Sequence, residues 1–161
     1  LESETGIAFD AYAHEAVFAP LGMSHTTIGD SAAAGGSSTS ADLALFAAEL
    51  QRPRLLDPAT LDRATGVSFP GRRGVLPGFG QQAENDWGLG LEIRGTKSPH
   101  WTGSQNSPET FGHFGQAGTF LWVDPRAGAA LVALTDRPFG PWAADVWPPF
   151  SDGVLAALAA D

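Results

Sequence analysis

The residues with the clearest chemical potential lie in one glycine-rich stretch, FGHFGQAGTFLWVDP, at positions 111–125. Glycine weakens a strand and histidine gains little there, so their place ahead of the apolar run TFLWVD indicates that something approaches the backbone closely. Three glycines would permit that approach, and a substrate could then hydrogen-bond to the backbone N–H groups of residues 115–117. His113 could orient or polarise the substrate, because imidazole both donates and accepts protons near neutral pH.

A purely structural explanation of this stretch is also open. The glycines could relieve crowding at a bulge or beneath a helix, and His113 could be an interior, hydrogen-bonded histidine. Taken alone, the stretch favours this structural explanation.

No complete motif for a serine nucleophile is present. No serine has glycine two residues before and two residues after it, so the G-x-S-x-G elbow is absent. An S-x-x-K pair cannot form, because the only lysine is Lys97 and Arg94 stands three residues before it. Ser104-Gln105-Asn106 matches a bare S-x-N pattern, which is more typical of a polar loop.

Metal and cofactor chemistry finds no support in the sequence. The four histidines are scattered, and none forms the i, i+4 pair with a glutamate that a helical zinc site uses. A phosphate-binding G-x-x-x-x-G-K segment is missing as well. We therefore expect no metal and no cofactor.

The composition predicts a globular domain and excludes some partners. The chain has 161 residues, of which 43% are hydrophobic and 17% charged. Its net charge of -9 would repel a nucleic-acid backbone, and no apolar run is long enough for a membrane span. It has no cysteine, which leaves the cellular compartment open. It begins at Leu1 without leader features, so we expect a processed product or part of a longer protein.

The hydrophobic pattern predicts helices in the first part of the chain. Residues 7–23 form an amphipathic pattern that includes Tyr12 as a core position. A second helix should follow the polar SSTS segment and end near residue 50, and a short helix over 55–65 should have Asp57 as its N-cap.

Strands should follow, and a last helix should close the chain. Residues 66–86 and 95–110 are predicted loops, WGLGLEI at 87–93 a strand, and 119–124 with 129–136 a hairpin. The final helix should be interrupted or started late by Pro148 and Pro149. Helices followed by strands and a helix indicate an α+β fold with a mainly antiparallel sheet.

Five segments, in this order, resemble the C-terminal part of the serine beta-lactamase and penicillin-binding-protein-like family, on its class C and esterase-related branch. They are LESETGIAFDAYAHEAVFAPLGMSHT, AGGSSTSADLALFAAEL, LLDPATL, WGLGLEI and FGHFGQAGTFLWVDPRAGAALVALTDRP. The resemblance implies one domain fragment over 1–161, with a helical segment at 1–65, strands of the catalytic-cleft sheet at 87–136 and a C-terminal helix at 138–161.

The resemblance also implies roles for site residues. The family's third motif, K-T-G or H-x-G on the strand beside the cleft, matches His113-Phe114-Gly115. His113 would help bind the substrate and position proton transfer, and the backbone N–H of Gln116 would supply one oxyanion-hole donor. Phe114, Gly115 and Ala117 would contact the substrate. Phe114 replaces the threonine or glycine of many relatives, which favours an ester or amide with an apolar flank over a carboxylate-bearing substrate.

The family's S-x-x-K nucleophile and its Y-x-N motif lie earlier than the segment that matches Leu1. The intact protein would act through an acyl-enzyme on a beta-lactam, a D-amino-acid peptide or a small ester, and this chain alone would be inactive. Its partner would be the missing N-terminal half, or a second copy by self-association. An extracytoplasmic location is implied by the resemblance only.

Two other functions stay open beside the hydrolase. The first is a non-catalytic binding or interaction module derived from the same fold. The second is an unrelated structural α+β domain, which the order of the segments disfavours.

Overall fold

A computed structural model describes residues 1–29 and 31–160, so position 30 and position 161, the predicted end of the last helix, lie outside the described residues. The chain divides into two compact units, Leu1–Leu55 and Leu56–Asp161, and each is described by itself.

The first unit is mostly helical. Its elements are α1 (Glu2–Thr5), α2 (Phe9–Ala13), a π-helical turn (His14–Phe18), α3 (Ala19–Leu21), β1 (Thr27–Ile28), β2 (Gly36–Ser37) and α4 (Ser40–Gln51). The helix predicted over 7–23 is therefore confirmed, with a π-helical turn in its middle. Tyr12 was wrongly predicted as a core residue: it is 37% exposed, because this helix buries the neighbouring Ala13 together with Phe18 and Leu21.

The start of α4 is fixed by capping and by a buried carboxylate. Thr39 is the N-cap, and its side chain accepts a hydrogen bond from the N–H of Asp42. The Asp42 carboxylate accepts from the N–H of His25 and the hydroxyl of Thr26, both at 2.8 Å. These bonds tie the loop after α3 to the first turn of α4.

The second unit contains a four-stranded antiparallel sheet. Its strands are β5 (Glu92–Ile93), β6 (Phe111–Gly115), β7 (Thr119–Asp124) and β8 (Ala129–Ala133), in the order β5-β6-β7-β8. The other elements of this unit are α5 (Pro58–Thr65), the hairpin of β3 (Gly74–Leu76) and β4 (Gly80–Gln82), and α6 (Pro141–Ala159). The α+β class, the antiparallel sheet and the hairpin of β7 with β8 are confirmed.

Two predicted elements differ from the structure. The stretch 66–86 is not wholly a loop, because it contains the β3–β4 hairpin. The predicted strand at 87–93 shrinks to β5: the N–H of Gly88 bonds to the carbonyl of Leu91 at 2.8 Å, so the segment folds back on itself. Gly90, at φ +84°, supplies the left-handed conformation that this reversal requires.

Helix α6 runs without a break through its two internal prolines, Pro148 and Pro149, contrary to the predicted interruption. Packing overrides the lost backbone bonds, because the helix buries Trp147 just before the prolines and Ser151 just after them. Trp122 of β7 donates its indole N–H to the Ser151 hydroxyl at 3.1 Å.

The core of the second unit lies between the sheet and α6 and is rich in aromatic side chains. Its large buried side chains are Leu76, Phe79, Trp101, Phe120, Trp122, Trp147 and Leu155, and two small residues, Ala129 and Ala143, are buried with them. The outer face of α6 keeps Val146, Phe150 and Leu158 exposed. None of the helices in the described part of the chain has the length and apolar character to cross a membrane.

Candidate active site

The strand β6 has an open edge over its last three residues. β7 pairs with β6 along its whole length, from Phe111 opposite Val123 to Gly115 opposite Thr119. β5, on the other side, pairs only with Phe111 and Gly112. From His113 to Gly115 the strand therefore has a ladder partner on one side only among the described residues. An open strand edge offers backbone hydrogen-bonding groups to a ligand.

The three glycines of this stretch differ in what demands them. A Cβ on Gly112 would clash with the carbonyl of Leu121 in β7. Gly118 has φ +80°, and a Cβ there would clash with the carbonyl of Arg137. At Gly112 and Gly118 the glycine therefore relieves crowding, because the fold leaves no room for a Cβ there.

Gly115 is different, because neither packing nor backbone conformation requires glycine there. A Cβ built on it would meet only Thr119 Oγ1 at 3.6 Å and Ala117 N at 4.0 Å, which are ordinary contacts. Its φ is not positive. The space beside Gly115 is therefore free of internal contacts and available to a ligand.

The turn after β6 carries the predicted oxyanion donor. The N–H of Gly118 bonds to the carbonyl of Gly115 at 3.0 Å, which closes a tight turn over residues 116–118. Gln116 and Ala117 are exposed. The Gln116 carbonyl accepts from the N–H of Phe139 at 2.9 Å, while the Gln116 N–H has no acceptor in the described parts of the chain. That N–H is free to bind a ligand oxygen.

His113 is exposed and has a defined hydrogen bond. Its Nδ1 lies 2.6 Å from the carbonyl oxygen of Phe114. Because a carbonyl oxygen only accepts, the proton of the neutral ring is on Nδ1, and Nε2 carries a lone pair. No partner for Nε2 is found among the described residues. The ring centroid of Trp87 lies 5.5 Å from that of His113, with the planes at 68°.

Phe114 supports the strand from the side of the core. Its half-buried ring packs on Phe139, Trp101, Trp147 and Phe79, with centroid distances from 4.9 to 6.3 Å. The open edge includes its backbone, whereas its side chain lies in the aromatic cluster. Contact between Phe114 and a substrate stays a prediction, as do the roles of the other four site residues.

A buried polar cluster behind the strand was missed at the level of sequence. Glu92 of β5 accepts at one oxygen from His100 Nε2 at 3.0 Å and lies 3.2 Å from Lys97 Nζ, and its other oxygen accepts from the indole of Trp101. The Lys97 and Glu92 side chains are 0% and 2% exposed. The only lysine of the chain, set in an apparent loop, was the one available signal. Lys97 also donates to the carbonyls of Asp86 and Ile93.

The cluster holds its ionisable groups away from their ordinary pKa values. Burial opposes ionisation of Glu92, but the hydrogen bond and charge of His100 and the charge of Lys97 outweigh it, so the Glu92 pKa lies below 4.5. Burial lowers the pKa of Lys97 below 10.5 and that of His100 below 6.5, against the pull of Glu92. His100 Nδ1 accepts the N–H of Thr102, so its proton points from Nε2 to Glu92.

Two side chains of this cluster, Glu92 and His100, are of types that can ligate a metal, and they are hydrogen-bonded to each other. In the parts of the chain that the structure describes, no group of three or more His, Asp or Glu side chains is arranged to hold a metal ion.

Comparison with known proteins places this fold. The Beta-lactamase family profile matches residues 1–154. The crystal structure of a beta-lactamase from Mycobacterium bovis is 56% identical, with a TM-score of 0.94 over 98% of this chain and 59% of that one. A mutant of simvastatin synthase from Aspergillus terreus is 17% identical, with a TM-score of 0.76 over 99% of this chain and 52% of that one, and shows the likeness of fold alone. The comparison with curated proteins found no match.

The chain spans about 59% of the length of the Mycobacterium bovis protein. The family resemblance carried by the five ordered segments is confirmed, because the family profile covers almost all of the chain. This chain belongs to the beta-lactamase family.

Proposed function

We propose that this chain supplies one wall of the acyl-transfer cleft of a serine hydrolase, and that the attacking serine and its lysine lie outside the chain. The intact protein would cleave a beta-lactam, a D-amino-acid peptide or a small ester through an acyl-enzyme. The observation that carries the proposal is the open edge of β6 from His113 to Gly115. Gly115, at the end of this edge, is a glycine that the packing of the fold does not require.

The chemistry needs a nucleophile, a base and two donors for the oxyanion. The serine oxygen attacks the acyl carbon and gives its proton to the base, while the carbonyl electron pair moves onto the oxygen. That pair returns to expel the leaving group, which takes the proton, and water then releases the acyl group by the same steps. In this scheme the Gln116 N–H is one of the oxyanion donors.

His113 would act at the side of this reaction. Its Nε2 lone pair can accept a hydrogen bond from a hydroxyl or N–H of the substrate, or guide a proton that is being transferred. A lysine in the same place would instead present a positive charge. The chain therefore suits a substrate without a carboxylate beside His113 better than a substrate that bears one.

A second candidate is a binding module without catalysis. This chain contains no S-x-x-K, and its only lysine is fully buried beside Glu92, so absence of that motif from the preceding portion of the parent protein as well would favour the module. Such a module would keep the cleft wall and bind an acyl compound without turning it over.

The two candidates are separated by labelling with a fluorescent penicillin and a serine-directed fluorophosphonate. The isolated chain should take up neither probe, whereas the chain joined to the preceding portion of its parent protein should be labelled stoichiometrically. A joined protein that binds the fluorescent penicillin reversibly but is never covalently labelled would favour the module. Stoichiometric labelling of the isolated chain would show that the nucleophile lies within it and would overturn the proposal.

A further inference from the structure

The contact between Trp87 and His113 has a place in the function proposed above. Trp87 is separated from β5 by the reversal over 88–91 and forms an isolated bridge with Glu92. Its half-buried ring lies against the exposed imidazole of His113. We propose that Trp87 is a positioning residue, which holds His113 in the orientation where Nδ1 donates to the Phe114 carbonyl and Nε2 is left as an acceptor. Its catalytic consequence rests on the proposed hydrolase function.

His113 needs such support because it is exposed on an open strand edge. One hydrogen bond between a solvent-exposed ring and a carbonyl competes with water and holds the side chain weakly. A ring packed edge to face against the imidazole removes alternative rotamers and shields that bond. Trp87 is well placed to do this, since its ring plane lies at 68° to that of His113.

Trp87 is itself held by backbone bonds on both sides. Its carbonyl accepts the N–H of Ser68 at 2.9 Å. The carbonyl before it, of Asp86, accepts from Ile93 N at 3.2 Å and from the buried Lys97 Nζ at 2.8 Å. The buried cluster is therefore linked to the open edge: Lys97 holds the carbonyl of Asp86 by a hydrogen bond, and Asp86 is bonded directly to Trp87 in the chain.

The tautomer of His113 is the property at stake. With the proton on Nδ1, neutral His113 presents a lone pair at Nε2 and can accept a proton or a hydrogen bond there. With the proton on Nε2, the same ring could only donate from that atom. Losing Trp87 would free the ring to leave the Phe114 carbonyl, and the Nε2–H form would then become populated.

Long-range proton–nitrogen NMR on the chain itself tests this without any activity. In spectra recorded at alkaline pH, the two ring-nitrogen shifts of His113 show directly whether the ring is neutral and which nitrogen carries its proton. We expect Nδ1–H in the wild type and in Trp87→Phe, and at least a several-fold rise in the Nε2–H form in Trp87→Leu. The matched control, Trp142→Leu, removes a tryptophan of the same unit that does not contact His113 and should leave the tautomer unchanged.

Two results would overturn the proposal. One is a wild type in the Nε2–H form, or without nuclear Overhauser contacts between the rings of Trp87 and His113. The other is a folded Trp87→Leu variant with the wild-type tautomer. If Trp87→Leu does not fold, the wild-type tautomer and ring contacts together with the Trp87→Phe result decide the question.

The complete protein separates this inference from the proposed function. There, Trp87→Leu should lower kcat about 10-fold with a smaller change in KM, and Trp87→Phe should restore most of it. Failure of every acylating probe on the wild-type protein would defeat the hydrolase proposal and leave the tautomer result standing. An acylated protein whose His113 tautomer ignores Trp87→Leu would defeat the positioning role alone.

Discussion

Replacing Gly115 by alanine should separate a glycine kept for a ligand from a glycine kept for the fold. The new Cβ would lie 3.6 Å from Thr119 Oγ1 and 4.0 Å from Ala117 N, and the backbone has no positive φ. Alanine restricts the unfolded chain more than glycine does, which favours folding by about 0.4–1 kcal/mol. We therefore expect Gly115→Ala to change the free energy of unfolding by less than about 0.5 kcal/mol, or to raise it slightly.

The other two glycines are the matched controls. In Gly112→Ala the Cβ would press on the backbone of β7 at Leu121, and such overpacking costs about 1–3 kcal/mol. Gly118→Ala adds the cost of a left-handed conformation, about 1–2 kcal/mol, to a clash with the carbonyl of Arg137. Both should unfold at clearly lower urea concentrations than Gly115→Ala.

Urea unfolding followed by tryptophan fluorescence is the assay. All five tryptophans lie in the second unit, so the signal reports the unit that contains β6. In the complete protein, Gly115→Val should then slow acylation about 10-fold or more, because a branched side chain would occupy the free space beside the strand. If Gly115→Ala destabilises as much as Gly112→Ala, or if Gly115→Val is acylated at the wild-type rate, the reasoning about the open edge is refuted.

Three further predictions concern the buried cluster, the histidine and the isolated chain. Because the folded-state pKa values of Glu92 and His100 lie below 4.5 and 6.5, the unfolded chain binds more protons, and stability should decline as the pH falls below 6.5 and again below 4.5. Urea midpoints measured from pH 8 to pH 4 check this, and His100→Gln should remove the first decline while the exposed-site control His14→Gln keeps it. In the complete protein, His113→Ala should lower kcat/KM about 10²-fold, and unchanged kinetics would assign it a structural role. The isolated chain should self-associate through the edge strand β8 and the apolar outer face of α6, and sedimentation as a compact monomer with little dye binding would contradict this.

The helix cap and the turn that were predicted correctly depend on hydrogen bonds between residues close together in the chain. Asp57 caps α5, as expected from its place before proline, and its carboxylate accepts the N–H of Ala59. The turn between β7 and β8 forms because Asp124 accepts the N–H groups of Arg126 and Ala127. In each case the side chain and the groups it binds lie within three residues, so the sequence contains the whole interaction.

The parts that were missed depend on residues far apart in the chain. The polar stretch 95–110 contains buried residues because carboxylates outside it accept their hydrogen bonds. Asp124 accepts from Ser107 and Thr110, and Glu92 accepts from Trp101. No periodicity reports such partners. Packing on the sheet likewise keeps α6 helical through two prolines that should break it on local grounds.

The candidate site was located by its glycines, but only one of them marks it. The spacing of the glycines could not show that neighbouring backbone atoms require glycine at 112 and 118 but not at 115. That difference depends on contacts with β7 and with Arg137, which lie elsewhere in the chain. The hydrophobic pattern of 87–93 did not single out Trp87, because such a pattern does not report which side chain a ring contacts elsewhere in the chain.

The central claim is that β6 forms a wall against which the acyl group lies when a serine outside the chain is acylated. The most direct measurement is a crystal structure of the complete protein after reaction with a serine-directed phosphonate. The account predicts the phosphoryl oxygen about 2.7–3.1 Å from the backbone nitrogen of Gln116, with the adduct alongside Gly115 and His113. An adduct whose phosphoryl oxygen binds elsewhere, with the open edge of β6 untouched, would contradict it.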